Sequence, residues 1–114
     1  YIDLPGMFRS ASMDEKPIVR KAALNLFDAV IVILREPLGL DADNLAAFFD
    51  VNVLASLSAD ESILVRKSCV SSLAMLLRTC PQPLVCNIWV KNVLPLVLDV
   101  ELSVAERALD ELEA

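Results

Sequence analysis

The chain has 114 residues, 56% of them hydrophobic but only 5% aromatic, and a formal net charge of −6. One domain is the default at this length, and the aliphatic richness with only two glycines favours an all-α protein whose helices are buried on several sides. Because the chain contains no histidine, no Ser-His or Cys-His catalytic pair can form within it. We therefore expect a protein that is not an enzyme and that binds no cofactor, metal or small-molecule substrate.

Neither a membrane span nor a thiol-based site is indicated by the sequence. No run of residues approaches the roughly 18 apolar positions that a spanning helix needs, and the start lacks the basic and apolar regions of a signal peptide. The three cysteines, Cys69, Cys80 and Cys86, form no Cys-x-x-Cys pair. They are expected to be reduced thiols in the core of a cytosolic or nuclear protein.

Helical spacing of the apolar residues, interrupted by turn residues, divides the chain into three pairs of helices. Pro5-Gly6 predicts a turn before the first short helix. Pro37 and Gly39 break the chain after the second helix, and Pro95 should kink the fifth helix or end it early. The predicted helices span 7–12, 17–34, 45–57, 62–78, 84–98 and 101–114.

One pattern of eleven residues occurs three times, beginning at Asp14, Asp60 and Asp99. The first two copies read Asp-Glu-x-x-apolar-Val-Arg-Lys-small-small-apolar and stand 46 residues apart, and a weaker third copy follows after 39 residues. Self-similarity at this period is typical of helical-pair solenoids of the HEAT or armadillo type. We therefore predict an α-α superhelix of about two and a half to three repeats, with units at about 1–36, 41–80 and 84–114.

The chain is also expected to be a segment of a longer solenoid. It begins at Tyr1 without a methionine, and its last helix shows no purpose-built polar cap of the kind that solenoid ends require.

Each copy of the pattern places four apolar or small side chains on one helical stripe. Their offsets of 0, 4, 5 and 8 positions bring them to a single face of a helix with 3.6 residues per turn. We predict that this face is buried against neighbouring helices. The four columns are Val19, Val65 and Val104; Ala23, Cys69 and Ala108; Leu24, Val70 and Leu109; and Phe27, Leu73 and Leu112.

The aspartate at the start of each copy is a good N-cap residue, because its carboxylate can accept hydrogen bonds from backbone N–H groups at the start of the helix. The Val-Arg-Lys element that follows resembles the second helix of a HEAT unit, a family in which turn aspartates and arginines of adjacent repeats form a ladder. By this resemblance the ladder consists of Asp14, Arg20, Asp60, Arg66 and Asp99. Ala105 occupies the third arginine position, so the ladder should weaken there.

Lys21 and Lys67 follow the two arginines and are candidates for contact with a partner or with phosphate groups. The third copy has Glu106 in this position, and the net charge of −6 is opposite to that of most DNA-reading modules. The alternative is that the arginines serve the ladder while the lysines are solvated.

Three stretches resemble the HEAT units of the D-type non-SMC subunits of condensin, the condensin II type most closely. The resemblance to HEAT units covers about 14–114. It implies a large scaffold of the nucleus and chromosome that binds the kleisin and SMC ATPase subunits of condensin, acts in mitotic chromosome condensation, and reaches chromatin or DNA through the whole complex. The stretches are Asp-Glu-Lys-Pro-Ile-Val-Arg-Lys-Ala-Ala-Leu at 14–24, Val-Arg-Lys-Ser-Cys-Val-Ser-Ser-Leu-Ala-Met-Leu-Leu at 65–77, and Trp-Val-Lys-Asn-Val-Leu-Pro at 89–95.

Other HEAT scaffolds stay open as alternatives, because Val-Arg-Lys-Ala is generic to this type of repeat. They include nuclear transport receptors of the importin-β type and the regulatory subunits of phosphatases, and a cytoplasmic location accompanies a scaffold that is not nuclear.

Overall fold

The computed structural model describes residues 4–34, 51–79 and 83–113, which form helices and the turns between them. The all-α prediction is confirmed for this part of the chain. In chain order the helices are α1 (Leu4–Ser12), α2 (Pro17–Leu34), α3 (Val51–Leu57), α4 (Ile63–Thr79), α5 (Pro83–Asn92), a short 3-10 helix (Leu94–Leu98) and α6 (Leu102–Glu113).

The bounds of the helices follow the apolar pattern closely. Helix α2 has the predicted bounds, α4 is displaced by one residue, and α3 ends at the predicted residue. The predicted start of that helix at 45–50, the break at Pro37 and Gly39, and Cys80 lie outside the described residues.

Two predictions made from prolines have different outcomes. The predicted turn at Pro5-Gly6 is wrong, because both residues lie in the first turn of α1, where a proline costs no backbone hydrogen bond. The predicted interruption at Pro95 is confirmed, since α5 ends at Asn92 and Pro95 lies at the start of the 3-10 helix. A proline has no N–H to continue the α-helical ladder.

The described helices pack in two layers that follow the order of the chain. Helix α2 packs on α4 and α4 packs on α6, which forms one layer. Helix α1 packs on α2 and α3 packs on α4, while α1, α3 and α5 contact one another in turn. The 3-10 helix connects the layers at the third pair, because it packs on both α5 and α6.

Most of the predicted stripe forms the core. Nine of its twelve positions are buried: Val65, Val104, Ala23, Cys69, Ala108, Leu24, Val70, Phe27 and Leu73. The prediction is wrong for Leu109 and Leu112, which are 46% and 41% exposed, and Val19 is only half-buried. Phe27 on α2 is covered in part by Phe8 of α1, so the same position of the repeat differs in burial according to the helices that surround it.

The cysteines and the tryptophan fill different roles. Cys69 is buried, its thiol donates to the Leu54 carbonyl at 3.3 Å, and burial raises the pKa of this thiol to about 12. Cys69 is therefore an inert core residue, as predicted. The same prediction is wrong for Cys86, which is exposed. Trp89 packs partly buried against the core.

Phe27 is the largest side chain of the stripe and lies fully buried, with its ring centroid 6.2 Å from that of Phe8 on α1. We expect Phe27→Ala to lower the free energy of unfolding by about 3–5 kcal/mol, because the removed ring leaves a cavity between helices. Urea or thermal unfolding followed by circular dichroism measures this loss. The matched control is Val32→Ala on the same helix, where the side chain is 47% exposed; equal effects of the two changes would contradict the core assignment.

Candidate functional site

The three turns that precede α2, α4 and α6 share one hydrogen bond. In each turn the carboxylate of the aspartate accepts the backbone N–H of the residue two positions later, at 2.8 Å. This acceptor geometry is that of an Asx turn. The bonded N–H belongs to the residue immediately before the first helical residue. The aspartates are therefore not the predicted N-cap residues but form a turn that leads the chain into each helix. The donors are Lys16, Ser62 and Glu101.

Arg20 connects the first turn to the second. Its Nε and Nη2 atoms donate to the two carboxylate oxygens of Asp60 at 2.8 and 2.9 Å. The Nη1 atom donates to the backbone carbonyl of Asp14 at 2.9 Å. One guanidinium therefore binds the carboxylate of the following repeat and the backbone of its own repeat.

Arg66 makes the same set of bonds one repeat later. Its Nε and Nη2 atoms donate to the carboxylate of Asp99 at 3.0 and 3.2 Å. Its Nη1 atom donates to the carbonyls of Asp60 and Glu61 at 2.9 and 3.2 Å. Together the two arginines and three aspartates form a continuous chain of hydrogen bonds along one edge of the layer, which we call the ladder.

The ladder is well suited to hold the repeats at a fixed spacing. Bidentate Arg–carboxylate bonds are short, charge-assisted and directional, and all four paired side chains are nearly buried. The hydrogen bond to Asp60 raises the pKa of the Arg20 guanidinium above its usual value, although burial opposes this. Arg20 therefore stays charged, and removing either partner leaves a nearly buried charge without its counterpart.

The third copy lacks the arginine that, in the first two copies, binds the aspartate of the next turn. Asp99 accepts both bonds from Arg66, but the equivalent of Arg66 is Ala105, which is buried in α6. The ladder among the described residues therefore ends at Asp99 as an acceptor.

Sequence reasoning missed two further bonds between α4 and α6. Arg107 donates to the Ser71 hydroxyl at 2.6 Å, and Arg78 donates to the Glu111 carboxylate at 2.9 Å. These residues do not recur at equivalent positions of the other copies, so the repeat carried no signal for them.

Lys21 and Lys67 lie at equivalent positions of the adjacent helices α2 and α4, and each is half-buried. Glu106 occupies this position on α6 and is exposed. The side chain at this position of the repeat therefore changes from basic to acidic along the layer. The basic part is a patch of two lysines.

An open groove of about 560 Å³ lies between the second and third turns. Ladder residues and the exposed apolar side chains Leu98 and Val100 line it, with Lys91 at its margin.

Across residues 4–34, 51–79 and 83–113, no cluster of carboxylates and cysteines could hold a metal ion. In these ranges no helix is sufficiently long and apolar to cross a membrane.

Asp28 is an acidic group that the ladder does not use. Its Oδ1 atom and the hydroxyl of Ser72 on α4 are both buried without a hydrogen-bond partner among the described residues. Burial raises the pKa of Asp28, and the nearby Ser72 hydroxyl offsets only part of this effect. The ionised carboxylate is thus poorly solvated at the α2–α4 contact.

Comparison with known proteins relates the chain to one segment of a much longer protein. Condensin-2 complex subunit D3-L of Xenopus laevis is 33% identical to it over 108 residues, which cover 94% of this chain and 7% of the frog protein. The chain therefore spans a small fraction of that relative's length. No family model matches the sequence, and no solved structure matches it.

The contribution of the first Arg–Asp pair can be separated from that of the Asx turn. Asp14→Ala removes one turn bond and should cost about 1 kcal/mol of unfolding free energy. Asp60→Ala removes the equivalent turn bond and also the carboxylate that binds Arg20, so we expect a distinctly larger loss in urea unfolding. In the Arg20→Ala background the extra cost of Asp60→Ala should shrink; an unchanged cost would show that the two side chains are not coupled.

Asp28→Asn should stabilise the protein increasingly as the pH rises. The folded-state pKa of Asp28 is raised, so its protonated form favours folding below the unfolded-state pKa, and this stability is lost as the pH rises through the folded-state pKa. Asparagine does not titrate and avoids the loss. Unfolding free energies of both proteins from acid to neutral pH check this, with Glu15→Gln as an exposed control. A difference that stays constant with pH would contradict the burial of the charge.

Proposed function

We propose that this chain is a stretch of a HEAT-type solenoid whose role is to bind other proteins. Three features support the proposal: the repeated eleven-residue pattern, the ordered layer of α2, α4 and α6, and the ladder between their turns. A row of helices held at fixed spacing presents a continuous surface, which is how solenoids bind extended partners.

Within this class we propose a condensin-related scaffold of the D type. The observation that carries this assignment is the 33% identity to a condensin-2 subunit, which extends over 94% of the chain. The three stretches noted in the sequence point to the same family. The proposed partners are accordingly the kleisin and SMC ATPase subunits, and the proposed location is the nucleus and its chromosomes.

The proposed role is not catalytic, and ATP hydrolysis is assigned to another subunit. The chain lacks histidine, and the nearly buried carboxylates of Asp60 and Asp99 are committed to arginines in the ladder. Contact with chromatin is assigned to the whole complex, because Lys21 and Lys67 are a small basic patch in a chain with a net charge of −6. The affinity of non-specific DNA binding comes from many such phosphate contacts, and two lysines supply few of them.

Recovery of partners from cells tests the condensin assignment. The endogenous protein, tagged and isolated from mitotic extract, should bring down SMC ATPases and a kleisin. Val70→Asp places a charge in the core and should reduce this recovery if the segment contributes to the complex, whereas the exposed control Glu15→Gln should not.

The same experiment distinguishes the alternative scaffolds. Recovery of a phosphatase catalytic subunit, or binding to Ran-GTP, in place of the SMC ATPases would overturn the condensin assignment. Either result would leave the helical solenoid itself in place.

A further inference from the structure

The positions on either side of the ladder aspartate face solvent in the turns of the repeat. In the second copy they are Ala59, which is exposed, and Glu61, whose side chain is 91% exposed. This turn has the first turn on one side and the third on the other, so the exposure persists when both neighbouring turns are present. The third copy has Leu98 and Val100 at these positions, and they are 85% and fully exposed.

These two apolar side chains line the groove of about 560 Å³ between the second and third turns, which we call the turn groove. Pro95 and Leu96 extend its apolar lining. The packing of the described helices buries neither Leu98 nor Val100. Exposed apolar side chains grouped beside polar ones are typical of binding grooves. The turn groove is therefore a candidate site for a partner, and it lies between two repeats of this chain.

The turn groove continues towards the first helices of the pairs. A second groove of about 390 Å³ lies between α3 and α5, and Lys91 and Asn92 line both grooves. The carboxamides of Asn52 and Asn87 line the second groove, and carboxamides can both donate to and accept from a peptide backbone. An extended segment has backbone groups that need such partners, whereas a helix pairs these groups internally. The joined grooves therefore favour an extended segment over a helix.

Two charged side chains at the turn groove determine which residues an occupant needs. The carboxylates of Asp60 and Asp99 are bound by the ladder arginines. Lys91 is exposed and takes part in none of the ion pairs within the described ranges. Glu61, on the second turn, approaches Arg20 only to 4.0 Å. An acidic residue of the occupant can therefore pair with Lys91 and a basic residue with Glu61.

We propose that the turn groove binds an extended segment of a partner protein in which an apolar residue lies between an acidic and a basic residue. The apolar side chain covers Leu98 and Val100, the carboxylate pairs with Lys91, and the cation pairs with Glu61. Opposite charges at the two ends favour association and fix the register of the segment. The inference rests on the proposed scaffold function, because it specifies the kind of segment that the scaffold binds.

Selection from a display library of random short peptides on the 114-residue chain tests the proposal. The enriched peptides should share an apolar residue flanked by an acidic and a basic one. A fluorescent copy of the most enriched peptide then gives a Kd by fluorescence anisotropy. Replacing its acidic residue with lysine should weaken binding by about tenfold, and added salt should weaken binding of the original peptide.

Substitutions that give the third turn the sequence of the second locate the site. Leu98→Ala and Val100→Glu introduce the residues of the equivalent positions, Ala59 and Glu61. The turn should therefore still fold, and circular dichroism verifies this. The double variant should bind the selected peptide at least about tenfold more weakly, as expected for central interface residues.

A matched control separates the groove from exposed apolar turn residues in general. Met13 precedes Asp14 as Leu98 precedes Asp99, and it is 76% exposed at the first turn. Met13→Ala should leave peptide binding unchanged. Lys91→Glu, in contrast, should weaken the original peptide and restore part of the affinity of the peptide whose acidic residue is lysine.

Several outcomes would overturn the proposal. They are a selection that enriches no peptide, an affinity that does not depend on the acidic residue of the peptide, and equal effects of the double variant and Met13→Ala. Self-association of the chain that the double variant abolishes, seen by sedimentation, would assign the turn groove to a second copy instead. None of these results affects the recovery of SMC ATPases with the endogenous protein, so failure of this proposal and failure of the condensin assignment are distinguishable.

Discussion

The bidentate bond between an arginine of one repeat and an aspartate of the next is the constraint on which the arrangement of the helices depends. Apolar contact is non-directional, so the stripe alone would allow α2 and α4 to slide or rotate against each other. The guanidinium plane of Arg20, fixed by both Asp60 oxygens and by the Asp14 carbonyl, permits one spacing and one orientation. Because Arg66 repeats this geometry, successive helices have the same relation to one another.

The ladder and the Asx turns use the same aspartate carboxylates. Asp60 accepts the N–H of Ser62 with one carboxylate oxygen that also binds Arg20. The turn therefore helps to fix the orientation of the carboxylate that the arginine of the preceding repeat binds. Asp28 illustrates the opposite case. One oxygen of its carboxylate is buried at the same contact between α2 and α4 without an arginine, so desolvation dominates and its pKa rises.

The proposed scaffold function depends on a layer that is built of repeated units. In such a layer a repeat contacts only its neighbours. Helix α6 keeps the apolar positions of the repeat but replaces the arginine with Ala105 and the lysine with Glu106. The polar chemistry of α6 therefore differs from that of α2 and α4.

The sequence by itself determined the type and bounds of the helices, because apolar spacing, prolines and turn aspartates act locally; α2 and the interruption at Pro95 are examples. The ladder residues were expected from the resemblance of the repeated element to HEAT units. Only the tertiary structure decided that each arginine reaches forward to the aspartate of the next turn, that Leu109 and Leu112 are exposed, and that Asp28 is desolvated. These properties depend on which helix lies opposite, and residues with the same local pattern differ in burial when their neighbours differ.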